Sequence, residues 1–178
     1  MLQPPFDNAY WVLRGRLMAG EYPGDYDPAV SLRRIRGLFD CGIRSFINLM
    51  EASEESVDAR QAPAYAALVE QCASRLGVVG EWLRFEIHDM SAPSAGQMGA
   101  IQRAIDDSLE RERPVYVHCW RGRGRTGTVV ASHLIRQGLA TPENFLAVVE
   151  KLRGQSNSSP ETPAQIDFVR SWRSGPTG

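Results

Sequence analysis

The sequence predicts an α/β protein in which a largely parallel central sheet is flanked by helices and preceded by an N-terminal hairpin. Short apolar, β-favouring runs alternate along the chain with longer stretches that carry helix start and stop signals. Such alternation is typical of βα units, whose strands pair in parallel beneath covering helices. The chain has 178 residues, 43% of them hydrophobic, which suffices for one domain with a sizeable core.

The predicted elements follow one another in a simple order. The hairpin has strands at residues 10–13 and 17–19, and further strands are predicted at residues 45–50, 81–88 and 115–117. Capping residues at the starts and glycines after the ends predict helices over residues 27–41, 63–76, 94–111, 128–136, 141–153 and 163–172. We expect a single domain over residues 1–178, with flexible tails at residues 1–9 and 174–178.

One segment of the chain carries residues suited to binding a phosphate. A short strand leads to Cys119, and a loop that follows ends six positions later at Arg125, near the start of a helix. Three glycines let the backbone turn sharply and approach a ligand closely: Gly122, Gly124 and Gly127. A loop that feeds a helix N-terminus points N–H groups inward and adds the positive end of the helix dipole, which favours a thiolate beneath a phosphate.

Each neighbouring side chain then has a candidate role. The planar guanidinium of Arg125 can bind two phosphate oxygens, a geometry that lysine cannot match. Thr126 could hydrogen-bond the sulfur and ease its departure, and His118 is interpreted as a buried hydrogen-bonding residue that fixes the loop, not as a general base. The residues expected to hold the phosphate are those of the loop itself: Trp120, Arg121, Gly122, Arg123, Gly124 and Arg125.

The pattern His-Cys-x5-Arg-Thr-Gly over residues 118–127 resembles the signature of cysteine-dependent protein tyrosine and dual-specificity phosphatases. The fuller string over residues 115–130, and strings within residues 10–23 and 159–165, are similar to compact bacterial and plant members. The resemblance implies the phosphatase fold and hydrolysis of phosphoproteins through a phosphocysteine intermediate, with no metal and no cofactor. Phosphotyrosine is the first expected substrate, and phosphoserine or phosphothreonine remain open.

Three other classes compete with this interpretation. A rhodanese-like sulfurtransferase or an arsenate reductase also places a thiolate in an anion-binding loop, but the Gly-Arg-Thr-Gly ending favours the phosphatase. A non-catalytic phosphate-binding module would not require the complete set of Cys119, Arg125 and Thr126.

A phosphate ester's leaving oxygen needs a proton that the thiolate cannot supply. Asp89 is the candidate donor, because it follows a strand-like run and opens the loop at residues 90–96. In the family that the chain resembles, the acid lies in such a loop, at a similar distance before the cysteine, and later acts as the base on water. Glu86 is the alternative, whereas Asp106 and Asp107 lie in a helical stretch and are interpreted as a solvated face.

Gln165 is a second supporting candidate. Thr162 can cap a helix that has Pro163 at its first position, which puts Gln165 in the first turn. The resemblance suggests that Gln165 faces the catalytic loop and helps to place water. An ordinary surface glutamine on a terminal helix is an equally open alternative.

The substrate is the least determined feature. Arg121 and Arg123 raise the positive potential of the loop and resemble the basic loops of phosphatases that act on phosphoinositides or inositol polyphosphates, which makes such a substrate the alternative to a phosphoprotein. Two observations weigh against it. The chain is rich in arginine, so the two arginines could be there by chance and could point to solvent or pair with carboxylates. An acidic run also follows the strand at residues 45–50 and would repel a polyanion if it borders the pocket: Glu51, Glu54, Glu55 and Asp58.

Composition limits the remaining possibilities. The net charge of −1 argues against a general nucleic-acid binder. No apolar run approaches the length of a membrane span, and the N-terminus lacks the features of a signal peptide, so no integral membrane association is expected. Cys41 and Cys72 are predicted to pack in the core, and a working thiolate at Cys119 suits a reducing cytoplasm.

Overall fold

The structure is a computed structural model that describes residues 3–54 and 65–173. Its strands are β1 (Ala9–Leu13), β2 (Leu17–Glu21), β3 (Ser45–Asn48), β4 (Glu81–Arg84) and β5 (Val115–Cys119). They form one sheet in the spatial order β1-β2-β5-β3-β4. β1 and β2 are antiparallel and the other neighbours are parallel. The predicted, largely parallel sheet with its N-terminal hairpin is thereby confirmed.

Six helices that lie wholly within the described residues cover the sheet: α1 (Pro28–Asp40), α2 (Tyr65–Leu76), α3 (Ala95–Glu110), α4 (Gly124–Arg136), α5 (Phe145–Arg153) and α6 (Pro163–Ser171). The helices α1 and α2 pack on one face, around Phe46 and Tyr116. The other four pack on the opposite face, around Val115 and Val117. The central strand β5 is buried throughout, as expected for a parallel strand that is covered on both faces.

The three cysteines are free and buried, and Cys119 belongs to a different core cluster from the other two. Cys41 and Cys72 belong to the cluster beneath α1 and α2, whereas Cys119 belongs to the cluster on the opposite face. Burial raises the pKa of both Cys41 and Cys72. Their predicted place in the core is therefore confirmed. Among the described residues, no helix combines the length and apolar character needed to cross a membrane.

Several boundaries differ from the sequence-based prediction. β4 ends at Arg84 and not at residue 88, although Phe85 N–H still donates to the Asn48 carbonyl at 2.9 Å and continues the alignment with β3. The fifth helix begins at Phe145, because Thr141 N–H donates to Asn144 Oδ1 at 2.7 Å and forms a turn first. α4 begins at Gly124 instead of residue 128, so the glycine-containing loop leads directly into the helix.

Residues 3–9, which the sequence predicts as part of a flexible tail, contact the rest of the fold. Cys41 Sγ donates to the Gln3 carbonyl at 3.4 Å, and the Phe6 ring packs edge-on against Tyr116 with centroids 6.2 Å apart. Ala9 already belongs to β1. These contacts hold the segment against α1 and the sheet. Residues 1–2 and 174–178 lie outside the described residues.

A buried polar contact joins α3 and α4. His133 Nδ1 lies 2.9 Å from Gln102 Oε1, and Gln102 Nε2 donates to the Val129 carbonyl at 3.1 Å. Burial, assisted by the nearby charge of Arg136, lowers the pKa of His133 from 6.5 to about 4. His133 is therefore neutral in the folded protein at neutral pH.

Because His133 is buried and neutral, we expect acid to destabilise the fold. Because the unfolded chain binds a proton at His133 more readily, the free energy of unfolding should fall between pH 6.5 and about 4, by up to ~1.4 kcal/mol per pH unit. His133→Gln keeps a polar group beside Gln102 but does not titrate, and it should reduce that slope in urea unfolding measured at several pH values. A variant with the full wild-type slope would contradict the assignment.

Candidate active site

Cys119 lies at the carboxyl end of β5, the middle strand of the sheet, and its side chain is buried. The loop over residues 120–123 connects it to α4. Arg123 takes the N-cap position of that helix but makes no side-chain capping hydrogen bond. Because the first N–H groups of a helix have no partner within the helix, the start of α4 offers donors on the side of the loop that carries Cys119.

The glycines of this loop are required by packing as well as by approach to a ligand. Gly122 has a φ of +65°, and a Cβ there would lie 2.3 Å from the carbonyl carbon of Gly20 in β2. A Cβ on Gly127 would lie 2.2 Å from Ser159 Oγ. The loop at Gly122 therefore packs tightly against the end of β2, and the first turn of α4 at Gly127 packs tightly against the segment before α6.

Arg125 is the most fully enclosed charge of the site, with 1% of its side chain exposed. Its Nη1 and Nη2 donate to the two carboxylate oxygens of Glu54 at 2.6 and 2.8 Å. Nη1 also donates to the Ile87 carbonyl at 3.1 Å, and Nη2 lies 3.0 Å from Asp89 Oδ1. Nε, also buried, has no hydrogen-bond partner among the described residues. The guanidinium therefore joins the start of α4 to the segments that follow β3 and β4 at one edge of the sheet.

Both members of the Arg125–Glu54 pair are charged. Burial by itself would raise the pKa of Glu54, but hydrogen bonds from Arg125 and from the Glu51 backbone outweigh it, and the pKa is lowered. Burial would lower the pKa of Arg125, and the hydrogen bonds to Glu54 together with the charges of Cys119 and Asp89 raise it. The ion pair is thus stable at neutral pH.

Sequence reasoning noted Glu54 only as a charge that could repel a polyanion, and missed its contact with Arg125. Glu54 contacts Arg125 directly but is not among the residues that line the cleft containing Cys119, so its repulsion of a polyanion stays a prediction. Glu51 binds His88 Nδ1 at 3.0 Å instead, and Glu55 and Asp58 lie outside the described residues. The position of Glu54 in the chain could have indicated this contact, because residues that follow β3 lie close to residues that follow the parallel strand β5.

Asp89 has a side chain that is 63% exposed, and its loop is anchored to the start of α6. The Met90 carbonyl accepts from Thr162 Oγ1 at 3.2 Å, and the Ser91 carbonyl accepts from Gln165 Nε2 at 3.0 Å. The loop therefore holds an accessible carboxylate beside Arg125.

The other acidic candidates lie elsewhere. Glu86 Oε1 accepts from the Ala52 backbone at 2.9 Å, outside the cleft that contains Cys119. Asp106 pairs with Arg136 at 2.6 Å, and Asp107 is exposed on α3, as the sequence indicated.

Gln165 is fully buried, so the alternative of a surface glutamine is wrong. Its Oε1 accepts from the N–H groups of Glu161 and Thr162 at 3.0 and 3.1 Å, while Nε2 donates to the Ser91 carbonyl. A Cβ on Gly124 would lie 3.0 Å from Nε2, so the amide does face the loop. In this arrangement the side chain fastens the loop of Asp89 to α6.

The role of His118 as a buried residue that fixes the loop by hydrogen bonding stays a prediction. Its ring is buried and interacts with the Cys119 backbone. The ring also packs among Tyr22, Tyr65 and Tyr116, with centroids 5.2–5.8 Å away. Burial lowers the pKa of His118 from 6.5 to about 3, so the imidazole is neutral and apolar packing holds it.

The predicted contact between Thr126 and the sulfur is not formed. Thr126 is fully buried, and its hydroxyl has no hydrogen-bond partner among the described residues. The neighbouring Thr128 behaves differently, because its hydroxyl donates to the Gly124 carbonyl at 2.9 Å within α4. Thr126 therefore keeps an unused donor and acceptor close to the start of the helix.

An open cleft of about 390 Å³ lies over the loop, lined by residues that include Asp89, Met90, Cys119, Trp120, Arg121 and Glu161. Trp120 is 40% exposed and stacks on Tyr22, with centroids 5.6 Å apart. Arg121 is exposed at the cleft. Arg123 is not among the lining residues, because Nη1 binds Glu161 at 2.9 Å and Nε donates to the Ser158 carbonyl at 2.8 Å.

Comparison with known proteins identifies the class that this fold and loop define. The profile of a family described as "Polymorphic toxin system, DSP-PTPase phosphatase" matches residues 28–139. The chain therefore belongs to this family of cysteine-dependent dual-specificity-type phosphatases.

Individual relatives agree with this assignment. The chain is 26% identical over 110 residues to an Arabidopsis thaliana phosphatidylinositol 3,4,5-trisphosphate 3-phosphatase and protein-tyrosine-phosphatase, which is 61% of this chain and 26% of that protein. It is 31% identical over 99 residues to the human phosphatidylglycerophosphatase and protein-tyrosine phosphatase 1, or 54% of this chain and 46% of that protein. The chain thus spans between about a quarter and a half of the length of these relatives.

Solved structures share the fold over nearly the whole chain. The active form of Tk-PTP superposes with a TM-score of 0.71 at 22% identity, covering 93% of this chain and 95% of the other. Kinase associated phosphatase superposes with a TM-score of 0.73 at 21% identity, covering 94% and 93%. The chain therefore has the protein tyrosine phosphatase fold.

The loop packing predicts different effects for two glycine substitutions. Gly122→Ala meets the backbone of β2, whereas Gly138→Ala, at a similar φ of +70°, has nothing within 4 Å of its Cβ. Gly138→Ala should therefore cost only the backbone strain, about 1 kcal/mol of unfolding free energy. Gly122→Ala should in addition lose most of the affinity for inorganic phosphate, measured by calorimetry. Equal phosphate affinity in both variants would contradict this account of the loop.

Proposed function

We propose that the protein is a phosphomonoester hydrolase that acts on phosphoproteins through a phosphocysteine intermediate. The observation that carries the proposal is the position of Cys119, which ends the middle strand immediately before the loop to α4 and shares a cleft with Arg125 and Asp89. Nucleophile, anion-binding group and acid thus face one space. Relatives named as protein-tyrosine phosphatases support the assignment.

In the first step, the Cys119 thiolate attacks phosphorus and the bond from phosphorus to the ester oxygen breaks. Asp89, protonated for this step, gives its proton to the leaving oxygen. Arg125 and the backbone N–H groups at the start of α4 bind the other phosphate oxygens and stabilise the charge of the transition state. Since Asp89 pairs with Arg125 in this structure, a bound phosphate would take over the Nη2 contact and release the carboxyl group.

In the second step, water attacks the phosphorus of phosphocysteine. The Asp89 carboxylate accepts a proton from that water, and the bond from phosphorus to sulfur breaks to return the Cys119 thiolate. The unused hydroxyl of Thr126 would donate to the departing sulfur. Gln165 acts in this scheme by holding the Asp89 loop, since its Nε2 binds the Ser91 carbonyl. The scheme uses no metal and no cofactor.

A phosphoinositide or inositol polyphosphate substrate is the second candidate. Arg121, exposed at the cleft, favours it, and a structural neighbour is described in complex with PI(5)P. The walls of the cleft favour an aryl phosphate instead, because Trp120 and Met90 expose 40% and 53% of their surface there. Apolar walls suit the ring of phosphotyrosine better than a polyhydroxylated inositol ring. We therefore place phosphotyrosine first.

The proposed setting is the reducing cytoplasm, and the proposed unit of function is one catalytic domain. Thiolate chemistry needs Cys119 reduced, and the three cysteines are free in the structure. A single domain is supported by the two hydrophobic clusters of the described residues, which pack on the same sheet. The charge balance of the chain gives no support to a nucleic-acid partner.

Substitutions at the two reacting side chains test the chemistry. With an aryl phosphate, Cys119→Ser should abolish turnover, and Asp89→Asn should lower kcat by roughly a hundredfold or more because the leaving oxygen loses its acid. Asp107→Asn, the same change at an exposed position of α3, is the matched control and should match wild type. If Asp89→Asn and Asp107→Asn turned over equally well, Asp89 would not be the acid. If the wild-type protein bound the aryl phosphate but never hydrolysed it to inorganic phosphate, the result would indicate a binding module.

The two loop arginines test the substrate class. Because Arg121 lines the cleft, Arg121→Ala should lower kcat/KM for a phosphotyrosyl peptide and for a phosphoinositide by similar factors. Arg123 is paired with Glu161 and does not line the cleft, so Arg123→Ala should leave turnover of the peptide unchanged. The measurement is a panel of both substrates on one preparation. Selective loss on inositol phosphates in Arg121→Ala, with the peptide spared, would instead support the second candidate.

A further inference from the structure

The ion pair between Arg123 and Glu161 lies at the edge of the cleft and is held firmly. Arg123 Nη1 lies 2.9 Å from Glu161 Oε1, and Arg123 Nε donates to the Ser158 carbonyl at 2.8 Å. The side chains are 28% and 23% exposed. Two partners therefore fix the orientation of the guanidinium, and neither side chain extends freely into solvent.

The backbone on both sides of the pair is also fixed. The Glu161 N–H donates to Gln165 Oε1 at 3.0 Å, just before the capping box of α6. The Arg123 carbonyl accepts from Ser159 Oγ at 2.8 Å. The loop and the segment before α6 are thus joined by side-chain and backbone contacts, which hold the backbone of Glu161 close to Arg123.

This arrangement changes the charge that a ligand meets. Among the described residues that line the cleft, the carboxylates of Asp89 and Glu161 balance the guanidinium groups of Arg121 and Arg125. Arg123, which the sequence alone places among the basic residues of the loop, is not part of the lining. A single phosphate bound at Arg125 is accommodated by the loop, but a second phosphate beside it would approach the Glu161 carboxylate.

We propose that Glu161 determines substrate specificity by holding Arg123 outside the cleft and presenting its own carboxylate there. The site then accepts monophosphate esters and disfavours substrates that carry a second phosphate near the first. The physical basis is repulsion between like charges in a partly enclosed space, which discriminates by penalising the wrong ligand. This inference rests on the proposed phosphatase function and deepens it by assigning the substrate class.

The test compares a phosphotyrosyl peptide with an inositol trisphosphate. Glu161→Ala removes the carboxylate and frees Arg123, and should raise the ratio of kcat/KM for the trisphosphate over the peptide by roughly tenfold. Asp167→Asn is the matched control, since it removes one negative charge from a side chain of α6 that is 74% exposed. It should leave the ratio unchanged. In Arg123→Ala/Glu161→Ala, part of the gain should disappear, because no freed guanidinium is present.

Each outcome decides a part of the proposal. A ratio in Glu161→Ala equal to that of wild type, or an equal rise in Asp167→Asn, would overturn it. A full gain in the double variant would overturn the role of Arg123. Equilibrium binding of both ligands to the same variants in a Cys119→Ser background separates this inference from the proposed function. If wild type turned over neither substrate, the catalytic proposal would fail while the binding ratios still tested Glu161.

Discussion

The buried guanidinium of Arg125 is the constraint on which the site depends. A charge with 1% of its side chain exposed is costly unless other groups compensate for its lost hydration. Glu54 supplies a bidentate carboxylate, Ile87 supplies a carbonyl, and Asp89 adds a second carboxylate. These groups are distant from Arg125 in the sequence, so the contacts that compensate this one charge bring separate segments of the chain together. Under the proposed function, the same guanidinium binds the phosphate in the cleft.

The sheet makes this convergence possible. β3, β4 and β5 are parallel, so the segments that follow them emerge at one edge. Glu54 follows β3, Asp89 follows β4, and Cys119 ends β5. The start of α6 closes the arrangement, because Thr162 and Gln165 bind the carbonyls at residues 90 and 91. The central strands thereby position Glu54, Asp89 and Cys119 at the same edge of the sheet.

Sequence reasoning succeeded where a signal is local. The strand, glycine loop and helix around Cys119 are contiguous in the chain, and the capping pattern Thr162-Pro163 marks the start of α6 as the structure has it. The alternation of strands and helices likewise predicted the mixed sheet. Asp89 was singled out from its place after a strand, and the structure puts it in the cleft, while its catalytic role stays a prediction.

It failed where the answer depends on which distant segments meet. The pairing of Glu54 with Arg125 spans 71 residues, and that of Arg123 with Glu161 joins a loop to the segment before the last helix. No local pattern specifies either contact. The local pattern around His118 likewise did not indicate the aromatic rings from other elements that surround it. The strand predicted to reach residue 88 ends at Arg84, and the segment that follows it contains Ile87 and Asp89, which contact Arg125.

The central claim is that phosphate passes through the sulfur of Cys119. Rapid mixing of the wild-type protein with an aryl phosphate, followed by an acid quench and mass spectrometry of the peptides, tests this directly. The account predicts a phosphoryl group on the peptide that contains Cys119, formed and consumed at rates that match turnover. Release of inorganic phosphate with no adduct on Cys119 at any time, or with the phosphoryl group on another side chain, would contradict it.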